Sequence, residues 1–127
     1  VDDDESVRSS FPLALATVGV DVEVASGPEG AKRLVDEREF DLVVTDLDFA
    51  PESGRWEGLA LLRSLRRSHP VLPVVVMSAF STAAVESEAL ALGARDFWAK
   101  SLPIPAILER LRKLEGELRP VPARLGG

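Results

Sequence analysis

Apolar residues along the chain alternate between short continuous runs and longer stretches with a three-to-four-residue period. Val7, Phe11, Leu15 and Val18 recur at helical spacing before Gly19, which predicts a first helix from about Glu5 to Val18, bent at Pro12. Val20-Asp21-Val22-Glu23-Val24 alternates with period two and predicts a strand. Ser26-Gly27-Pro28-Glu29 then offers a capping box for a helix running to about Arg38. Leu42-Val43-Val44 is a short buried strand ending at Thr45-Asp46. Gly58 to Ser68 is the next helix, with Leu59, Leu62 and Leu65 inward. Pro73-Val74-Val75-Val76-Met77 predicts another buried strand ending at Ser78, and Ser81 or Thr82 caps a helix that finishes at Gly93. Ala94 to Ala99 forms a last strand leading into Lys100. The final helix carries Ile104, Ile107, Leu108, Leu111, Leu114 and Leu118 on one stripe and breaks at Pro120 into a Pro/Gly tail. Strands alternating with helices predict an α/β domain, a parallel sheet with helices on its faces.

One element is missing from this pattern. Only Val1 precedes the acidic cluster Asp2-Asp3-Asp4, yet the helix that follows should be fed by a strand of the same sheet. A chain trimmed at its N-terminus accounts for this, and ~4–6 further apolar residues are expected ahead of Val1.

Composition narrows the function classes. A chain of 127 residues that is 46% hydrophobic supports one domain with a core and is too short for two. A net charge of −6 argues against a surface that neutralises nucleic-acid phosphates, so no direct nucleic-acid partner is expected. The absence of cysteine excludes disulfides and thiolate metal sites. No apolar run approaches the ~20 residues of a membrane-spanning helix, and no signal peptide precedes Asp2, so a cytoplasmic protein without a membrane partner is expected.

Parallel α/β sheets bind ligands at the carboxyl ends of their strands. Asp2, Asp3 and Asp4 follow the presumed first strand, and Asp46 and Asp48, Ser78 and Lys100 end later ones. Carboxylates converging in one crevice repel each other unless a cation sits among them, and Mg²⁺ suits such a site because it takes one or two carboxylates, waters and phosphate oxygens. A carboxylate is also a nucleophile toward phosphorus, Lys100 supplies a point charge, and Ser78 a hydroxyl donor.

Val1-Asp2-Asp3-Asp4-Glu5-Ser6-Val7-Arg8, Asp41-Leu42-Val43-Val44-Thr45-Asp46, Met77-Ser78-Ala79 and Gly93-Ala94-Arg95-Asp96-Phe97-Trp98-Ala99-Lys100 resemble the response-regulator receiver family of two-component signalling, over nearly the whole chain. The resemblance implies a doubly wound, flavodoxin-like fold with a five-stranded parallel sheet in the order 2-1-3-4-5, its first strand truncated here. It implies a receiver domain over 1–119, with 120–127 a flexible tail or a linker to an output domain. Asp46 is then the phosphoacceptor, Ser78 and Lys100 hold the phosphoryl group, and Mg²⁺ is bound by Asp2 through water, by Asp3 and Asp46 directly, and by the backbone carbonyl of Asp48. Phe97 stands where the family places a switch aromatic, although plain core is an equal reading. The implied partner is a sensor histidine kinase or phosphotransfer protein, and part of the final leucine stripe can serve a homodimer. Such a domain is phosphorylated on itself and is not a turnover enzyme.

Three departures from the family stand out. The loop Phe49 to Glu57 between Asp46 and Gly58 is longer than usual and is expected to pack over or beside the acidic crevice with Trp56 partly buried. Ser101 replaces the family's proline, so the Lys100–Ser101 bond need not be cis. Asp48 adds a carboxylate near the acceptor. Asp4 reads as a helix start, Arg63, Arg66 and Arg67 as a solvated face, and His69 as a turn residue. Two rival functions are a receiver-like interaction module without phosphorylation, and a phosphatase of haloacid-dehalogenase type, whose DxDx(T/V) motif Asp46-Leu47-Asp48-Phe49-Ala50 resembles except at Ala50. A flavin-binding protein of flavodoxin type is disfavoured because no phosphate-binding loop follows a first strand.

Overall fold

The computed structural model describes residues 1, 2, 4–47, 56–79 and 82–118. Asp3, Asp48, the greater part of the 49–57 loop, Ser81 and the tail from 119 lie outside the described residues, as does the side chain of Trp56. The elements run α1 (Glu5–Ala16), α2 (Pro28–Glu37), β1 (Val43–Asp46), α3 (Trp56–Ser68), β2 (Val74–Ser78), α4 (Ala83–Ala91), β3 (Asp96–Ala99) and α5 (Ile104–Leu118). The three strands form a parallel sheet in the order β1-β2-β3. Pairing of Asp46 with Met77 and of Ser78 with Ala99 brings the carboxyl ends level. One helical layer packs Leu59, Leu62, Leu65, Val85 and Ala89 against Val74, Val76 and Phe97. The other face joins Val75, Met77 and Trp98 to Ile107 and Leu114. Burial of both faces explains why the strands read as continuous apolar runs rather than alternating ones.

Among the described residues three of the expected five strands form, and these three keep the expected order. Residues 20–25 are not paired as a strand; among the described residues Val1 and Asp2 lie between them and β1. That pair does occupy the inner position. Asp2 N donates to Ala25 O at 3.0 Å, Val1 N to Val44 O at 2.6 Å, and Asp46 N to Val1 O at 2.7 Å. The 20–25 segment is tied to the end of α2 by Glu23 and Arg38, 2.7 Å apart.

Local differences have local causes. Helix α1 ends at Ala16, and Gly19, at φ 79°, takes the left-handed turn that leads the chain back toward the sheet. The expected capping box at Ser26 does not form. Gly27 is the N-cap of α2 without a side-chain bond, and Pro28, which has no N–H to satisfy, opens the helix. Arg66 is not simply solvated: it is half-buried, donates to Leu72 O at 3.1 Å and lies over Gly93. His69 faces Asp36 at 3.0 Å. Thr82 caps α4 by accepting from Val85 N at 3.2 Å. Thr82→Ala should cost about 1 kcal/mol, read as a lowered urea midpoint at unchanged slope.

Candidate functional site

The carboxyl end of the sheet gathers the candidate residues from the ends of the three strands and the stub beside β1. Asp2 leaves the stub beside β1 and is fixed twice through its backbone: its N–H donates to Ala25, and its carbonyl accepts from Arg8 Nη1 at 3.1 Å. Asp46 is the last residue of β1, held by Val1 on one side and followed by fully buried Leu47, whose N–H donates to Met77 O at 2.8 Å. Buried Thr45 turns its hydroxyl onto Asp46 O at 3.0 Å. Ser78 ends β2, and its carbonyl accepts from Lys100 N at 2.9 Å, which locks the β3 end against it.

The side chains converge on one ammonium. Lys100 Nζ lies 3.0 Å from Asp2 Oδ2 and 3.1 Å from Asp46 Oδ1. Both carboxylates are buried, at 6% and 3% exposure, so an unpaired charge there would be costly. Burial by itself would lower the Lys100 pKa, but hydrogen bonds to Asp2 and the charge of Asp46 outweigh it and raise the pKa above its ordinary value. The Asp2 carboxylate is engaged at both oxygens, since Oδ1 accepts from Asp4 N at 2.9 Å.

Of the residues expected at the site, Asp2 and Asp46 each contact Lys100, and Ser78 is buried at the adjoining strand end. Asp3 and Asp48 lie outside the described residues. Asp4 stands apart as the N-cap of α1, accepting from Ser6 N and Ser6 Oγ at 2.9 and 2.7 Å, and these bonds hold its carboxyl below the usual range. Phe97 is buried in the core. No peptide bond is cis among the described residues, so Lys100–Ser101 is trans. Three contributors escaped the sequence reading: Arg8, Thr45 and the Val1 backbone. Arg8 was the one with a signal, as a cation one helical turn beyond the acidic cluster. Among the described residues no three potential ligating side chains cluster, and the site offers the carboxylates of Asp2 and Asp46. Among the described residues these two hard oxygen donors fit Mg²⁺, which takes one or two carboxylates and completes its shell with water and phosphate oxygens.

Comparisons with known proteins agree with this architecture. The family model described as "Response regulator receiver domain" matches residues 1–112. The transcriptional regulatory protein ZraR of Salmonella typhimurium is 33% identical over 98% of this chain, and the response regulator protein PilR of Pseudomonas aeruginosa 31% over all of it. The chain spans only 27% and 29% of the length of those relatives. Among solved structures, the receiver domain of NtrX from Brucella abortus superposes with a TM-score of 0.78 at 30% identity, covering 90% of this chain and 94% of that one. The CheY-like receiver domain protein of Methanospirillum hungatei gives 0.82 at 20% identity, covering 93% and 91%. With matches extending from Val1 into α5, the chain belongs to the response regulator receiver family.

Proposed function

We propose that this domain accepts a phosphoryl group on Asp46 from a sensor histidine kinase or phosphotransfer protein, and that the acylphosphate alters contacts with an output partner. The observation that carries the reading is the buried pair Asp2 and Asp46 sharing Lys100 at the carboxyl end of the sheet. Asp46 is the nucleophile. It ends β1 at the carboxyl edge of the sheet and stands where the family places its phosphoacceptor, with Asp2 beside it in the role of a metal ligand. When Asp46 attacks phosphorus, the donor's leaving group departs with its electron pair, and Lys100 Nζ can turn from the carboxylates toward the phosphoryl oxygens. Ser78 supplies a hydroxyl donor from the next strand end. Mg²⁺, held by Asp2 and Asp46 and on the family pattern by Asp3 and the Asp48 carbonyl, would neutralise the charge that builds on the phosphoryl oxygens. The domain occupies 1–119, with 120–127 as tail or linker. ZraR and PilR are named as regulatory proteins several times longer, which supports a fused output domain.

The test is incubation with Mg²⁺ and acetyl phosphate, followed by intact-mass measurement. One phosphoryl group should be gained, labile to base and stable to acid. Continuous turnover of a phosphomonoester would instead indicate the phosphatase reading, and no uptake from any donor would leave an interaction module.

Lys100→Ala gives a second check. It leaves two buried carboxylates without their shared ammonium, and should cost about 2 kcal/mol in metal-free buffer. Because the folded-state Lys100 pKa is raised, the wild-type contribution is complete below the ordinary lysine value and is lost as pH rises through the raised one. The penalty should therefore be constant through neutral pH. Millimolar Mg²⁺ should recover most of it, measured by urea denaturation with and without the metal.

A further inference from the structure

Among the described residues β3 is the end strand of the sheet, with β2 on one side and no strand on the other. Such an edge presents backbone donors and acceptors that can pair with another chain. Lys100 N donates to Ser78 O at 2.9 Å, so Asp96, Trp98 and Lys100 turn their backbone groups to β2, and Phe97 and Ala99 turn theirs to the open side. The outward groups are nevertheless occupied. Phe97 N donates to Asp96 Oδ1 at 2.8 Å, and Phe97 O accepts from Arg110 Nη1 at 3.2 Å. The next outward carbonyl, that of Ala99, accepts from Leu102 N at 3.0 Å.

The two blocking side chains are themselves held in place. Trp98 is fully buried beside Ile107, and its Nε1 donates to Asp96 Oδ2 at 2.8 Å, which leaves Oδ1 for Phe97 N. Arg110, on α5, lies 3.7 Å from that same Oδ1, so the charge pair keeps the guanidinium over the Phe97 carbonyl. We propose that Asp96 and Arg110 form a clasp that closes this edge of the sheet against the same strand of a second copy of this chain. Across a two-fold axis β3 would meet itself antiparallel, Phe97 opposite Phe97. The donor and the acceptor that the clasp covers are the two that such a pair exchanges.

The test is the double variant Asp96→Asn/Arg110→Ala in the full chain. Asparagine keeps one acceptor oxygen for the Trp98 indole and turns a donor toward Phe97 N–H, while alanine frees the carbonyl. In dilute solution, hydrogen exchange at Phe97 should quicken ~10-fold or more over wild type. As concentration rises from micromolar to millimolar, sedimentation should show a dimer, and protection of Phe97 should return with it. Arg95→Ala/Glu117→Ala, which removes an exposed ion pair between the approach to β3 and the end of α5, should stay monomeric. Arg110→Ala alone leaves the indole bonded to Asp96 and should associate by the same edge, more weakly; should the double variant not fold, this one decides by the same readings. Unchanged exchange at Phe97, a folded variant that stays monomeric throughout, or a dimer in which Phe97 is unprotected would overturn the proposal. So would equal association by the Arg95→Ala/Glu117→Ala control.

Discussion

Asp46→Asn should abolish phosphoryl uptake from acetyl phosphate while leaving the fold intact. An amide oxygen is not a usable nucleophile, so loss of the acceptor carboxylate is a loss of chemistry and not a graded reduction. The fold should tolerate it because Lys100 retains Asp2 at 3.0 Å, and one buried carboxylate facing one ammonium is a balanced pair. The expected stability change is within about 1 kcal/mol, by denaturation alongside the mass measurement. If Asp46→Asn still took up phosphate and Asp2→Asn did not, the nucleophile would be Asp2.

The second large effect lies in the backbone behind the acceptor. A Cβ built on Gly58 would overlap the Leu47 carbonyl oxygen, with Leu47 Cα at 2.5 Å and Leu47 C at 2.7 Å, distances at which main chain has to move. Gly58→Ala should therefore destabilise the domain by about 2–3 kcal/mol, despite the better helix propensity of alanine. Leu47 follows Asp46 and is anchored to Met77, so the shift reaches the acceptor, and phosphorylation should slow at temperatures where the protein remains folded. The same change at Gly116 in α5, where no atom lies within 4 Å of the added carbon, is the control. It should be neutral or stabilising by up to about 1 kcal/mol. Equal effects at the two positions would show that helix propensity, and not contact with Leu47, decides the outcome.

How far these features were legible depends on the kind of signal each leaves. Helices α3 and α5 announce themselves because their apolar stripes are long enough to set a period, and β2 because it is buried on both faces. Alternation at 20–24 predicts a strand that does not form, because a ladder needs a partner and among the described residues the segment is bonded to the inner position through Asp2 alone. Ser26 has the chemistry of a cap, whereas the structure places Gly27 at that position, because Pro28 begins the helix one residue later than the box requires. At the site, Asp46, Ser78 and Lys100 are legible as polar residues that terminate apolar runs. Which carboxylates Lys100 would meet is not, since that follows from strand order and register. Arg8 illustrates the same limit: its role is to hold a backbone carbonyl, and sequence patterns carry little trace of such a bond.

The shared ammonium has a kinetic consequence. Asp2 and Lys100 stand far apart in the described chain, and Asp46 lies between them, so their meeting closes long loops. Pairing of β1 with β2, and of β2 with β3, joins nearer neighbours in sequence at lower entropic cost. The charge cluster should thus be among the last features to form during refolding and the first to be lost on partial opening. On the proposed function, competence to accept a phosphoryl group would then report that the sheet has assembled from end to end, and a chain still lacking its outer pairings would stay silent in signalling.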